Sequence, residues 1–268
     1  MCLILFAWNP DSINRLIVAA NRDEFYQRPS KAAHFWSDEN NLLAGRDLEQ
    51  HGTWLGVTRD GRFAAVTNFR STDSDEYPRS RGQLAAYFLK GSDTPEDSLA
   101  QLEEVHEQYA GFNLLVGDTK SLFYYSNRSN KPPQRLEPGV YGLSNHLLNT
   151  EWPKVSTGVK GLIEAIEQAS GNEPDEPDEI ADIEVTLLGL LQNDNQADDK
   201  SLPNTGIGMN LEKMLSPLFI KSPAYGTRAS TIVRITEGRG ITFLEQNYSV
   251  GGVHTDRVKY SWMIETQD

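Results

Sequence analysis

The sequence predicts an α+β fold: a four-layer α/β/β/α sandwich of two mainly antiparallel sheets with helices outside. Three observations predict it. Strand-like runs open and close the chain, while helical spacing occupies much of the middle. Several of those runs are apolar at nearly every position, so both faces of each sheet need covering. Short turns of Asn, Pro, Asp and Gly join the early runs, as antiparallel neighbours require. No repeat or low-complexity tract divides the chain, so one domain over 1–268 is expected.

Taken in order, CLILFAW (2–8) and RLIVAAN (15–21) read as buried strands around an Asn-Pro-Asp-Ser turn. TWLGVT (53–58) and FAAVTNF (63–69) flank Asp60-Gly61, a hairpin tip. RGQLAAYFLKG (81–91) has helical spacing. So does the segment 94–111, with Thr94 as N-cap, Pro95 in the first turn and a glycine stop. NLLVGD (113–118), SLFYYSN (121–127) and VYGLSN (140–145) are strands, and GVKGLIEAIEQAS (158–170) is a helix. The acidic stretch 171–182 is read as a solvated connector. A helix over 184–194 follows, then strands over 228–235, 241–249 and 257–264.

The bulk numbers narrow the function. A formal net charge of −13 argues against a nucleic-acid surface, which needs a basic patch. One cysteine among 268 residues excludes an intramolecular disulfide and any paired-cysteine metal spacing. The start lacks the basic segment and cleavage pattern of a secretory signal, and no stretch has the length of a membrane span. A cytoplasmic protein is expected.

The single cysteine, Cys2, stands directly behind the initiator methionine. Either it is a small buried hydrophobe, or Met1 is removed and Cys2 carries a thiol and a free α-amine together. Other polar residues emerge where apolar runs end: Asn21, Arg22 and Asp23 in AANRDEF, Asn68 in AVTNFR, Asn145 and His146 in YGLSNH, and Arg228 in YGTRAST. Asn21 and Asp23 are two apart and share a face of an extended strand, beside the strand that starts at Cys2. Each alone reads as a turn or surface residue. Together they supply what amide hydrolysis needs: a nucleophile with its own base, a group to orient that base, amide donors for an oxyanion, and a cation. Trp54, with the other tryptophans, is a candidate pocket wall.

The Asn-Arg-Asp-Glu string of AANRDEF is the string that names the NRDE family, the relatives of transport and Golgi organisation protein 2. The resemblance continues through AGRDLEQHGTWLGVT (44–58), AAVTNFR (64–70), SRGQL (80–84), GLSNH (142–146) and YGTRAST (225–231). More distantly, the layout resembles N-terminal nucleophile (Ntn) hydrolases of the choloylglycine hydrolase and penicillin V acylase type. That resemblance implies Cys2 as nucleophile and Asp23 as the carboxylate holding its amine. It implies Asn68 and Asn145 as oxyanion or substrate-amide groups, and Arg228 as a charge stabiliser. Those acylases carry an arginine just before Asn-x-Asp, whereas this chain has Ala20 there and Arg22 inside the motif.

Two functions follow. One is a cysteine amidohydrolase acting on a linear amide of a small substrate, with Asn21, Arg22, His146 and Trp54 as substrate contacts and no required cofactor. The other is a non-catalytic carrier of haem or of a lipid or acyl group, a link the family implies. Candidate iron ligands are then Cys2, His34, His51, His146 and His254. For a working nucleophile, Arg22 or Arg228 is expected near the thiol, within about 4–6 Å.

Overall fold

A computed structural model describes residues 2–9, 12–72, 75–169, 182–238 and 240–264. The expected Asn-Pro-Asp-Ser turn, the acidic connector and Met1 lie wholly or partly outside these residues. The strands are β1 (Cys2–Trp8), β2 (Asn14–Phe25), β3 (Ser30–Trp36), β4 (Glu39–Asp47), β5 (Leu55–Thr58) and β6 (Phe63–Asn68). Helices α1 (Gly82–Lys90) and α2 (Pro95–Glu103) come next, then β7 (Phe112–Gly117), β8 (Leu122–Ser126), β9 (Gln134–Arg135) and β10 (Gly139–Leu143). The chain continues through α3 (Pro153–Gln168), α4 (Asp182–Leu191) and α5 (Met209–Met214). It closes with β11 (Tyr225–Thr236), β12 (Gly240–Tyr248) and β13 (His254–Met263).

The strands form two antiparallel sheets, ordered β10-β1-β2-β11-β12-β13 and β3-β4-β5-β6-β7-β8-β9. Side-chain alternation sorts three cores. Ile4, Phe6, Val18 and Ala20 face the second sheet's Leu43, Val57 and Ala65. On the opposite face of the first sheet, Leu3, Leu5, Ile17 and Ala19 pack against Val155 and Leu162 of α3 and Leu187 of α4. The second sheet's outer face, with Ala44, Ala64 and Val116, packs on Leu84 and Phe88 of α1 and Leu99 of α2. The order of layers is therefore helices, sheet, sheet, helices: an α/β/β/α sandwich.

Some expected boundaries move. The helix expected over 94–111 ends at Glu103 because Asn127 Nδ2 donates to the carbonyls of His106, Tyr109 and Ala110, holding that stretch out of helical register. The strand expected over 15–21 runs on to Phe25, because β11 pairs with it along nearly its whole length. Strands β3 and β4 have no counterpart in the sequence reading. Register irregularities between Lys31 and His34, and between Phe35 and Trp36, break the alternation that would have marked them.

Candidate active site

Cys2 opens β1, which is flanked on both sides by β10 and β2, so the thiol sits on an interior strand. It is 8% exposed. Across the β1–β2 ladder Cys2 pairs with Arg22. Directly opposed residues project to the same face, so Arg22 shares the inter-sheet face with the thiol. Asn21 and Asp23 share the opposite, helix-side face of β2, as their spacing of two implies, beside the start of β1.

A cleft of about 480 Å³ opens between the sheets at this end. Cys2, Arg22 and Ala229 line it from the first sheet, Trp54 and Asn68 from the second, and Arg81 from the entry to α1. Asp23 and Arg228 also reach its wall. Two close backbone approaches shape it. A Cβ on Gly52 would stand 2.4 Å from the Gly82 carbonyl carbon, and Thr53 N–H donates to the Gly82 carbonyl at 3.0 Å. That contact seats the start of α1, and Arg81 with it, against the cleft.

Burial pushes the Cys2 thiol up, while Arg22 and the Asp23 backbone N–H favour the thiolate. Arg81, itself pulled down by desolvation, feels the Cys2 charge as well and donates to the Gly111 carbonyl at 3.2 Å. Asp23 is 1% exposed, and burial raises its carboxyl above the ordinary range. Opposing that rise are Lys154, the Thr227 hydroxyl that donates to Oδ1 at 2.7 Å, and Arg22. The Tyr225 hydroxyl holds the backbone here, donating to the Asp23 carbonyl at 2.9 Å.

Asn145 is fully buried behind the cleft wall. Its Nδ2 donates to Asn68 Oδ1 at 2.9 Å and to the Asn68 carbonyl at 3.1 Å. The Ser144 hydroxyl lies within bonding distance of both Asn145 Oδ1 and the Cys2 carbonyl, at 3.2 and 3.0 Å. Asn68 Oδ1 is thus committed to Asn145, whereas Asn68 Nδ2 has no protein partner among the described residues. Asn68 lines the cleft, so Nδ2 is the amide donor available to a bound carbonyl.

Three other expected site residues are placed differently. Asn21 lies outside the cleft. Its Nδ2 donates to the Leu191 and Leu218 carbonyls at 2.9 and 2.8 Å and its Oδ1 accepts from Ser230, so it fastens α4 and the segment before β11 to β2. His146 packs between Phe69 and Trp152, with Nδ1 2.9 Å from Thr150 Oγ1, and burial lowers its pKa. Arg228 sits at an irregularity in the β2–β11 ladder, and its guanidinium donates to the carbonyls of Phe25, Tyr26 and Arg28. It braces the turn after β2 at the rim.

The sequence reading did not single out Lys154, Arg81, Ser144, Thr227 or Tyr225. Arg81, Ser144, Thr227 and Tyr225 lie inside motifs quoted for the family resemblance, which was their only signal. Lys154 had none, since it precedes the helix expected over 158–170, which in the structure begins earlier, at Pro153. Among the described residues no group of three or more His, Cys, Asp or Glu is arranged to hold a metal, and no helix is long and apolar enough to cross a membrane.

The fold and site together define an α/β/β/α sandwich with a buried thiol on an inner strand, lining a cleft between its two sheets. The chain belongs to the Transport and Golgi organisation 2 family, whose model matches residues 1–250. It is 38% identical over 266 residues to the human transport and Golgi organization protein 2 homolog, covering 92% of this chain and 93% of that protein. The Drosophila melanogaster protein is 28% identical over 269 residues, with 92% of each chain covered. Among solved structures, a Caenorhabditis elegans N-acylethanolamine-hydrolyzing acid amidase ortholog aligns with a TM-score of 0.45 and 10% identity, covering 86% of this chain and 92% of that one. A C2A mutant of the conjugated bile acid hydrolase of Clostridium perfringens aligns with a TM-score of 0.40 and 10% identity, over 100% and 99%.

Proposed function

We propose that the protein is a cysteine amidohydrolase that cleaves a linear amide, or a related acyl bond, of a small polar substrate. The observation that supports this most is the grouping of three units around one cleft. They are the Cys2 thiol, Arg22 on the same face, and an Asn68 amide whose oxygen is tied back by Asn145.

In this reading Met1 is removed and the Cys2 α-amine takes the thiol proton as Sγ attacks the carbonyl. The C–S bond forms, and the carbonyl electron pair moves onto oxygen, where Asn68 Nδ2 stabilises it. The ammonium returns the proton to the leaving nitrogen, the C–N bond breaks, and an S-acyl enzyme is left. Water then adds to the thioester, the amine again taking a proton, and the carboxylic acid leaves as the thiol is restored. Asp23 orients the amine, and Arg22 stabilises the thiolate.

The carrier reading fits haem less well. Cys2 gives the cleft one soft ligand, but none of the five histidines lines it, and its wall carries the guanidinium groups of Arg22, Arg28, Arg46 and Arg81. The test is intact mass of the purified protein, followed by mass spectrometry after exposure to an acylating probe, with haem titrated in parallel. Loss of Met1 and a single acyl adduct on Cys2, absent in C2A, support the hydrolase. A retained Met1, or haem binding that survives C2A without any acyl adduct, supports the carrier.

A further inference from the structure

At the end of the cleft away from Cys2 stands Glu245 of β12, a carboxylate that is 3% exposed. Its place follows from register. Cys2, Arg22, Ala229 and Asn247 form one row across β1, β2, β11 and β12, and all four line the cleft. At about 4.8 Å per strand that row spans about 14 Å, and Glu245 lies two residues along β12 on the same face. Its Oε1 accepts from the Ala33 N–H of the second sheet at 2.7 Å and from Asn247 Nδ2 at 3.2 Å. Its Oε2 has no hydrogen-bond or ion-pair partner among the described residues. That oxygen stands against Gly45 of β4, where a Cβ would lie 3.6 Å away, so the glycine keeps the space beside it open. Thr231, directly across the β11–β12 ladder and fully buried, has a hydroxyl without a partner among the described residues. This part of the sheet therefore holds two buried polar groups whose bonds the chain does not complete.

A buried carboxylate costs stability unless a cation or further donors offset it. The cations along the cleft wall are committed elsewhere. Arg22 lies 3.7 Å from both Glu24 and Asp47, Arg28 bonds Asp47 at 2.5 Å, and Arg46 holds Asp38 at 2.6 and 2.8 Å. Arg81 and Arg228 donate to backbone carbonyls, and Lys31 is exposed. Asp256, also on the cleft wall, adds a second negative charge, since its Oδ2 accepts from the same Asn247 Nδ2 at 3.2 Å. We propose that Glu245 is a specificity-determining residue that binds a cationic end group, an ammonium or guanidinium, on one arm of the substrate. This inference rests on the amidohydrolase reading and names its substrate class: an amide whose cationic arm reaches about 14 Å from the scissile bond. A charged donor suits Oε2 better than a neutral one, because charge-assisted hydrogen bonds are about twice as strong. Burial raises the pKa of this carboxyl, and an arriving cation returns it to the ionised form.

The test needs no turnover. Cys2, the single cysteine, is alkylated with bromoacetamides whose nitrogen carries an arm of three, six or nine methylenes. Each arm ends either in an ammonium or in the N-acetyl derivative of the same amine. Rates are followed by intact mass. The neutral probe is the reference within every variant, so a general change in thiol reactivity cancels from the ratio. In wild type the longest arm is expected to favour the ammonium about tenfold, and the shortest to show little preference. E245Q should lose most of that preference. G45A keeps the carboxylate but sets a methyl beside Oε2, and it should reduce the preference as well; it decides by the same ratio if E245Q does not fold. Equal rates for charged and neutral probes in wild type, or a preference undiminished in E245Q, overturn the inference. A Cys2 unreactive towards every probe overturns it together with the hydrolase. A preference lost in E245Q, without any cleavage or acyl adduct, overturns the hydrolase reading alone.

Discussion

Cys2 and Arg22 face each other across the β1–β2 ladder, thiol and guanidinium on the same face of the first sheet. The arginine therefore needs no flexible reach to influence the sulfur. Arg22 is held in turn by Glu24 and Asp47, each 3.7 Å away, so its position is set from both sheets. R22M should raise the thiol pKa further above its already elevated position. The pH midpoint of Cys2 alkylation by iodoacetamide should move up, with a rate about tenfold lower near pH 7. An unchanged alkylation profile would remove Arg22 from the site.

Asn68 and Asn145 divide one task, and their variants should fail in different ways. N68A removes a donor at the cleft wall and should lower turnover of an amide probe by about 10²–10³-fold with little change in melting temperature. N145A removes a fully buried amide and leaves Ser144 and Asn68 short of partners, so it should cost about 2–4 kcal/mol in chemical denaturation. Equal stability of the two variants would refute the division.

Lys154 also predicts a pH-dependent stability difference. Its folded-state pKa, near 8, lies below the ordinary lysine value, so folding is penalised wherever the unfolded chain holds the proton more tightly. K154M should melt higher than wild type at pH 7, by up to about 3 kcal/mol in the charge contribution. That gap should narrow as pH rises through 8 towards the unfolded value, because wild type then gains stability. Melting curves in buffers from pH 7 to 10 would show it, and a gap constant with pH would contradict it.

Glu245 of β12 gives the opposite sign. It is 3% exposed, its Oε1 accepts from the Ala33 N–H of the other sheet at 2.7 Å, and burial raises its pKa. A carboxyl whose folded pKa is raised favours folding most below its unfolded value, and that contribution is lost as pH rises through the folded value. E245Q should therefore be more stable than wild type at pH 7 to 8, with the difference vanishing near pH 4. Denaturant midpoints at the two ends of that range decide it.

Gly52 is the point where the cleft wall touches the start of α1. A methyl group there meets the Gly82 carbonyl carbon and oxygen at 2.4 Å, and backbone atoms cannot rotate away. G52A should destabilise the fold by about 1–3 kcal/mol and displace Arg81. Crystallography of the variant would check the second effect directly.

Much of this was legible in the chain itself. The doubly apolar runs at Cys2–Trp8 and Leu55–Thr58, the helical spacing of α1, and the Asp60-Gly61 tip are local patterns, and local patterns survive folding. The short motifs also marked Arg22, Asp23, Asn68 and Arg228 of the cleft wall, where buried strands meet solvent, together with Asn21 and His146, which lie elsewhere. The parity of β2 against β1 was not legible, since a one-residue change in register exchanges the faces of Asn21, Arg22 and Asp23 and leaves the sequence pattern intact. Nor was the burial of Lys154, a lysine whose environment is made by β2, α5 and the segment around Arg70, all distant in sequence. The amino-acid sequence by itself determined the layers, the nucleophile candidate and the polar strand ends. Only the tertiary structure decided which of those ends share a face with the thiol and which charges reach Asp23, because register and helix docking are set by the packing of segments that no local pattern relates.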